Sequence, residues 1–328
     1  MSDRRTFLKG LAGLSMAAVA SSAVAQPQAS GTKLTAMLGN YPHSRALHAG
    51  AVKSSRLQLD LQLDLAPIAV PSTAFARTVA MEFEVSELSL VTFLQAKAAG
   101  RKLVLVPAVY LSRFQHPFLL YNSARGTMTP KDMEGARIGV RLFTATTPSW
   151  LRGILADDYG VDINKIQWRA WQKPNVPEWR DPPNVTMIPA PAETTELGNM
   201  LLRGEVDAIV LEPIPTDPRI KPVIPDPAGA AKAWSANHGG AIQINHMVVV
   251  KEDVTRSQPD AIRELYRMLA EAKRMANEPA AEAAFTPFGL EANRHNIEVV
   301  IDYAFRTGMI PMRFTVDELF NDLTATLA

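Results

Sequence analysis

The order of strand-like and helix-like segments constrains this chain more than any other feature. Residues 33–38 read as a first strand, ending at Gly39-Asn40-Tyr41-Pro42. Residues 57–65 alternate apolar and polar with period two, as a strand with one buried face does. Residues 83–86 read as a short strand, and 87–99 as a helix closed by Gly100. Residues 102–110 and 118–121 are apolar strands, and 129–135 a short helical turn. Next come a strand at 137–141, a helix over Thr146–Tyr159 and a strand at 166–171. Thr146 or Thr147 would cap that helix, with Pro148 in its first turn and Gly160 stopping it. A helix at 193–203, a strand at 206–211 and a strand at 245–250 follow, then helices at 259–277, 291–306 and 316–328. Pro-rich stretches at 174–183 and 213–227 read as surface segments.

Alternation of this kind predicts an α/β chain with mostly parallel sheets flanked by helices. The block 125–235 has its own αβ units, and the C-terminal helices return to the first lobe. The expected organisation is one lobe from 26–124 plus 236–328, a second from 125–235, and a cleft at the hinge where the chain crosses twice. Ligands meet such sheets at the carboxyl ends of their strands.

The N-terminus adds an address. Arg4-Arg5 precede Phe7-Leu8-Lys9, then an apolar run over 11–20 too short to span a bilayer, then Ala23-Val24-Ala25. That order is a twin-arginine export leader, expected to be cut near Ala25 and to deliver a periplasmic protein. No cysteine is present, so neither disulfides, thiolate metal sites nor a lipid-anchored cysteine is expected, and no stable membrane anchor. The net charge is +1, and the leader carries three cations and one acid, which leaves the remainder near −1. That balance does not favour nucleic acid. No G-x-G-x-x-G, P-loop, H-E-x-x-H or G-x-S-x-G occurs and the six histidines are scattered, so no cofactor or metal is expected.

Candidate ligand residues then sit where strands end. After the first strand, Asn40, Tyr41, His43 and Arg45 offer an amide, a phenol, an imidazole and a guanidinium. Ser86 ends the 83–86 strand, where it could cap the next helix or contact ligand; Ser89 and Glu87 lie nearby. Ser112, Arg113, Phe114 and His116 cluster near the first crossing, and Arg113 suits a carboxylate. Thr144, Thr146 and Thr147 lead into a helix start, where hydroxyls and N–H groups can cradle an anion. Glu212 could bind a hydroxyl or pair with Arg113, and His246 opens the strand after the second crossing. Trp168 and Trp171 fall on opposite phases of a short strand and read as packing between lobes.

Several runs resemble the 4,5-dihydroxyphthalate decarboxylase-like proteins. They are Glu82-Phe83-Glu84-Val85-Ser86-Glu87-Leu88-Ser89, the segment from Pro107 through Ser112-Arg113-Phe114 to His116, Gly139-Val140 running into Thr146, Trp150 and Arg152-Gly153-Ile154-Leu155, and Gly204-Glu205-Val206-Asp207-Ala208. That branch is similar to the type 2 periplasmic solute-binding superfamily, which implies two α/β lobes closing on a ligand. An export leader departs from an enzyme of cytoplasmic catabolism, and 168–174 departs from the decarboxylase pattern. The expectation is therefore a binding protein that captures a small, phthalate-like aromatic carboxylate for an inner-membrane permease. Arg113 and His116 would take one carboxylate, Thr144, Thr146 and Thr147 the other end, and Tyr41 or Phe114 the ring. The alternative is an exported decarboxylase without a cofactor, with Glu212 or His116 as the proton donor.

Overall fold

The structure is a computed structural model that describes residues 32–54, 62–66, 68, 70–190 and 196–328. The expected leader, the first part of the 57–65 strand and the start of the 193–203 helix lie outside the described residues.

Two sheets carry the fold. The first contains β1 (Lys33–Met37), β2 (Gln62–Leu65), β3 (Val85–Ser89), β4 (Leu103–Ser112) and the late strand β11 (Ile244–Lys251), in the order β2-β1-β3-β11-β4. The second contains β5 (Leu119–Asn122), β6 (Arg137–Val140), β7 (Gln167–Ala170), β8 (Val185–Met187), β9 (Ala208–Val210) and β10 (Ile220–Pro222), in the order β10-β5-β9-β6-β7-β8. The order within each sheet is the same apart from the extra edge strand β8: second, first, third, a reversed strand, fourth. β11 is antiparallel to both β3 and β4, and β5 is antiparallel to both β9 and β10. These reversed strands are the ones by which the chain enters each sheet from the other. All other strands of a sheet run one way, as expected for mostly parallel sheets.

Burial on both faces explains the sequence of the central strands. Along β4, Leu103, Leu105 and Val109 join one apolar cluster, while Val104, Val106, Ala108 and Tyr110 join another. Alternate residues point to opposite faces, so an unbroken apolar run means that both faces are covered. The helix Pro259–Ala276 covers one face with Ile262, Leu265 and Leu269. The helices Leu90–Ala98 and Leu290–Arg306 cover the other, and they also meet Thr146–Tyr159 of the second lobe. One apolar cluster therefore runs through both lobes on this side. Each large aliphatic side chain buried there contributes about 1.5–3 kcal/mol. Trp150 adds a polar tie, its indole donating to the Ile244 carbonyl at 3.0 Å.

Several local expectations change. β3 extends through Ser89, and its helix starts at Leu90 instead of 87, because all of 85–89 pairs with β11, and 85–86 with β1 as well. Leu119–Asn122, counted with the first lobe, hydrogen-bonds to β9 of the second sheet. The stretch 213–227 contributes β10, and a helix not foreseen covers Pro227–Asn237. The segment 316–328 holds only the short turns Asp317–Leu319 and Thr324–Thr326. The helix Thr146–Tyr159 begins and ends as expected, with Gly160 left-handed at its end. Its cap residue, however, is Ala145, with no side-chain hydrogen bond to the first turn.

Candidate functional site

A cavity of about 800 Å³ opens where the two sheets present their strand ends to each other. From the first sheet come Tyr41 after β1, Ser89 at the end of β3, and Leu111 and Arg113 at the end of β4. β11 runs the other way, so it meets this edge with its start, Asn245 and His246. From the second sheet come Arg141 after β6, Trp171 and Gln172 after β7, and Leu211 and Glu212 after β9. The carboxyl ends of co-directional strands thus build the site, as the topology requires.

The first-sheet wall holds a closed chain of hydrogen bonds. Glu87 is fully buried. Its Oε1 accepts from the Tyr41 hydroxyl at 2.7 Å and from His246 Nδ1 at 2.5 Å. Its Oε2 accepts from the Gly39 N–H at 2.9 Å. A Cβ at residue 39 would meet Glu87 Oε2 at 2.7 Å, so the turn needs glycine there. With Nδ1 engaged by the Glu87 carboxylate, Nε2 is the ring nitrogen of His246 left for a ligand. Burial and then the Glu87 charge push the Tyr41 phenol above its ordinary range, so it stays protonated and donates.

The second-sheet wall is the reverse. Arg141 is part-buried, donates to Gln172 Oε1 at 2.9 Å, and has no carboxylate partner among the described residues. Burial lowers its pKa from the ordinary value. The helix Thr146–Tyr159 starts beside it with no side-chain cap and no acid in its first turn. The first N–H groups of a helix need acceptors, and the helix dipole favours an anion there. Thr146 Oγ1 is buried without a partner, and Thr147 Oγ1 accepts from Asn245 Nδ2 at 3.5 Å. A cation, an uncapped helix start and a free hydroxyl are groups that can together hold an anion.

Between the walls, Arg113 and Glu212 form an ion pair that joins the two lobes at the cleft. The pairing was one of the two roles open to Glu212. It leaves Arg113 with its charge already met, stacked over the Phe118 ring at 5.0 Å. Phe75, Pro71 and Leu111 add apolar surface to the cavity.

Of the expected site residues, the structure brings Tyr41, Arg113, Thr146, Thr147, Glu212 and His246 to the cavity. Asn40 and Arg45 are exposed on the surface and do not line it. His43 is buried, stacked on Tyr41 at 5.5 Å, and burial drops its pKa to about 4. Ser86 points the other way along β3 and bonds Thr78 Oγ1 at 2.7 Å. Ser112 donates to the Phe285 carbonyl, and Phe114 packs against Phe285 and Trp234. His116 is fully buried, both ring nitrogens lack partners, and burial lowers its pKa to about 4. Thr144 is fully buried and its hydroxyl has no partner. Trp168 lies in the core, while Trp171 lines the cleft and does not pack the lobes together.

Sequence reasoning missed Arg141, Gln172 and the 70–73 turn, and it touches Glu87 and Asn245, the neighbour of His246, only in passing. A signal for Glu87 was there: with period two along β3, Glu87 and Ser89 share a face that Ser86 does not.

No protein-family model matches the chain. A 4,5-dihydroxyphthalate decarboxylase of Comamonas testosteroni is 28% identical over 239 residues, 69% of this chain and 70% of that protein. Another of that name, from Pseudomonas putida, is 29% identical over 213 residues, 61% of this chain and 80% of that one. Among solved structures, the periplasmic aliphatic sulphonate binding protein SsuA of Escherichia coli matches with a TM-score of 0.55. It is 11% identical, covering 89% of this chain and 93% of its own. The alkanesulfonate-binding protein SsuA of Xanthomonas axonopodis pv. citri, bound to MOPS, matches with a TM-score of 0.52 and 13% identity. That match covers 88% of this chain and 98% of the other.

Proposed function

From a homologue of proteins named 4,5-dihydroxyphthalate decarboxylase that carries the two-lobe fold of the periplasmic binding proteins, we propose that this chain captures a small aromatic carboxylate in its cleft and hands it to a membrane permease. The observation that carries this reading is Arg141, a cleft cation with only a neutral partner, beside an uncapped helix start. The carboxylate lies against Arg141, Thr146 and the first N–H groups of the helix. The ring lies on Phe75, Pro71, Leu111 and Trp171. A hydroxyl at its far end donates to His246 Nε2, which Glu87 fixes in the accepting tautomer. Contacts from both walls to one ligand favour the shut state over the open one. The Arg4-Arg5 leader supports export to the periplasm, where a permease partner would be met.

The test is calorimetric titration of the mature protein with phthalate, benzoate and dihydroxybenzoates. Saturable binding that Arg141→Gln abolishes is expected. Absence of binding by every carboxylate refutes the reading.

One observation favours a second reading, decarboxylation: the buried Glu87 carboxylate behind His246, in a relative of two named decarboxylases. Loss of CO₂ leaves the bond's electron pair on a ring carbon, and that carbon takes a proton from protonated His246. Glu87 stabilises the imidazolium from which the proton comes. Neither His116, buried without partners, nor Glu212, bound to Arg113, is placed for that role. Incubation with 4,5-dihydroxyphthalate decides between the two: CO₂ release lost in His246→Ala supports catalysis, and an unchanged ligand supports capture alone.

A further inference from the structure

Arg152 sits two turns into the helix that starts the anion cradle, and it is 2% exposed. Its Nη1 donates to the Phe143 carbonyl at 3.0 Å. Its Nη2 donates to Ser149 Oγ at 3.0 Å, and that hydroxyl donates to the Ala145 carbonyl at 2.9 Å. The guanidinium stacks over Phe143 at 4.2 Å and near Trp168 at 5.5 Å, and Nη2 also meets Met309 Sδ at 2.7 Å. Its Nε has no partner. It makes no ion pair among the described residues. Asp181 steadies the charge at a distance, but its own Oδ1 is taken by the Trp179 indole.

This placement is electrostatically unusual. A helix start favours acids, and this one carries none in its first turn. Instead Arg141 precedes it, and the Arg152 guanidinium lies against its first turn at the Phe143 carbonyl and the Ser149 hydroxyl, so both arginines add positive potential to that of the uncapped N–H groups. Burial lowers the Arg152 pKa to about 9, which leaves it charged at neutral pH. A buried charge without a counter-ion is costly, and an anion in the adjacent cleft offsets that cost.

Resting on the cleft reading above, we propose that Arg152 sets the anion affinity of the Arg141 cradle without touching the ligand, the bound carboxylate acting as its missing counter-ion. It is a positioning residue that acts through the helix start. Thr146 and Arg152 are six residues apart, about 9 Å along the helix axis. With about that separation between the guanidinium and the bound anion, and an effective dielectric of about 20, one unit charge changes monoanion affinity about twentyfold.

The experiment titrates the full mature chain and its Arg152→Met and Arg152→Lys variants with benzoate and phthalate by calorimetry. Measurements are made at pH 6, where a partly desolvated lysine keeps its proton. Near-UV circular dichroism checks each fold, and Arg152→Gln replaces Arg152→Met if that variant does not fold. The expected result is about twentyfold weaker benzoate binding in Arg152→Met, a larger loss for the dianion phthalate, and recovery to within about threefold in Arg152→Lys. Equal losses for monoanion and dianion, or no recovery with lysine, would show a purely structural role and overturn the proposal. Unchanged affinity in Arg152→Met overturns it as well. Arg141→Gln is run in parallel: if it loses binding and Arg152→Met does not, only this inference falls. If wild type binds neither anion, the cleft reading falls and takes this one with it.

Discussion

The two walls of the cleft rest on sheets with the same strand order, yet they treat polar groups in opposite ways. On the first-sheet wall every oxygen of Glu87 is used, by Tyr41, Gly39 and His246, so the carboxylate is fixed and its charge is directed at the imidazole. On the second-sheet wall Arg141 meets only an amide, Thr146 Oγ1 meets nothing, and the helix start has no cap. A satisfied network gives rigidity and a defined tautomer. An unsatisfied one gives affinity, because its missing partner must come from outside. On the capture reading proposed above, the second lobe selects for negative charge and the first reads what the rest of the ligand offers.

The strongest way to break that division is Arg141→Gln. Truncating a hydrogen-bonded charge at a desolvated contact costs about 2–5 kcal/mol, so carboxylate affinity should fall at least about thirtyfold in calorimetry. Stability of the empty protein should hold or rise, because no carboxylate loses its partner. A variant that still binds at the wild-type affinity would place the anion elsewhere.

Acid provides the next contrast. The chain has no histidine between His116 and His238, so the strands of the second sheet carry none. His43 and His116 are both held down to about 4 by burial. Unfolded histidine titrates near 6.5, so between those values the unfolded chain binds more protons, and stability is lost as pH falls from about 6.5 towards 4. Each could contribute up to about 3 kcal/mol. Hydrogen exchange at pH 5 should show the first sheet and the 113–118 crossing losing protection before β6, β7 and β9. His116→Phe should reduce that acid sensitivity. Loss that begins in the second sheet would contradict the assignment.

The sequence made the scaffold of both walls legible and their chemistry only partly so. Strand–helix alternation locates β1, β4, β6, β7, β9 and β11, most plainly β4, β9 and β11, whose burial on both faces demands an apolar run. The threonines around the start of Thr146–Tyr159 read as hydroxyls suited to an anion, and the structure adds a detail: Ala145 takes the cap position, leaving the Thr146 hydroxyl free. Arg141 was passed over as the last residue of a strand. Its importance lies in lacking an acidic partner, a property of three-dimensional surroundings that no local pattern encodes. Arg113 is brought to the cavity, and its pairing with Glu212, 99 residues away, is one of the two roles that the sequence leaves open to that carboxylate. The β10 strand is hidden in a Pro-rich stretch and ends at Pro222, which an edge position tolerates.

A smaller effect concerns the joint that holds the walls apart. Gly153 on the helix Thr146–Tyr159 packs directly on the Tyr303 ring of Leu290–Arg306, and a Cβ there would collide with it. Overpacking of this kind costs about 1–3 kcal/mol, more than the helix propensity gained from alanine. Gly153→Ala should lower the melting temperature by several degrees. Anion affinity should weaken too if the spacing of the walls matters, whereas an unchanged affinity would show that each wall binds alone.

The subtlest test adds a cation to the comparison. In the ion pair that joins the lobes, Glu212 neutralises Arg113, and so the cleft offers one uncompensated arginine among the described residues, not two. Glu212→Gln keeps the shape of the side chain and an oxygen that can still accept from Arg113, but frees the charge. The pair is part-exposed, so its own loss should cost stability by less than about 1 kcal/mol. Affinity for a dicarboxylate such as phthalate should then rise several-fold relative to benzoate, because the second carboxylate gains a cation. The ratio of the two dissociation constants is the measurement, since it cancels any general change in closure. A ratio equal to that of wild type would mean that Arg113 lies out of the ligand's reach and serves only to join the lobes.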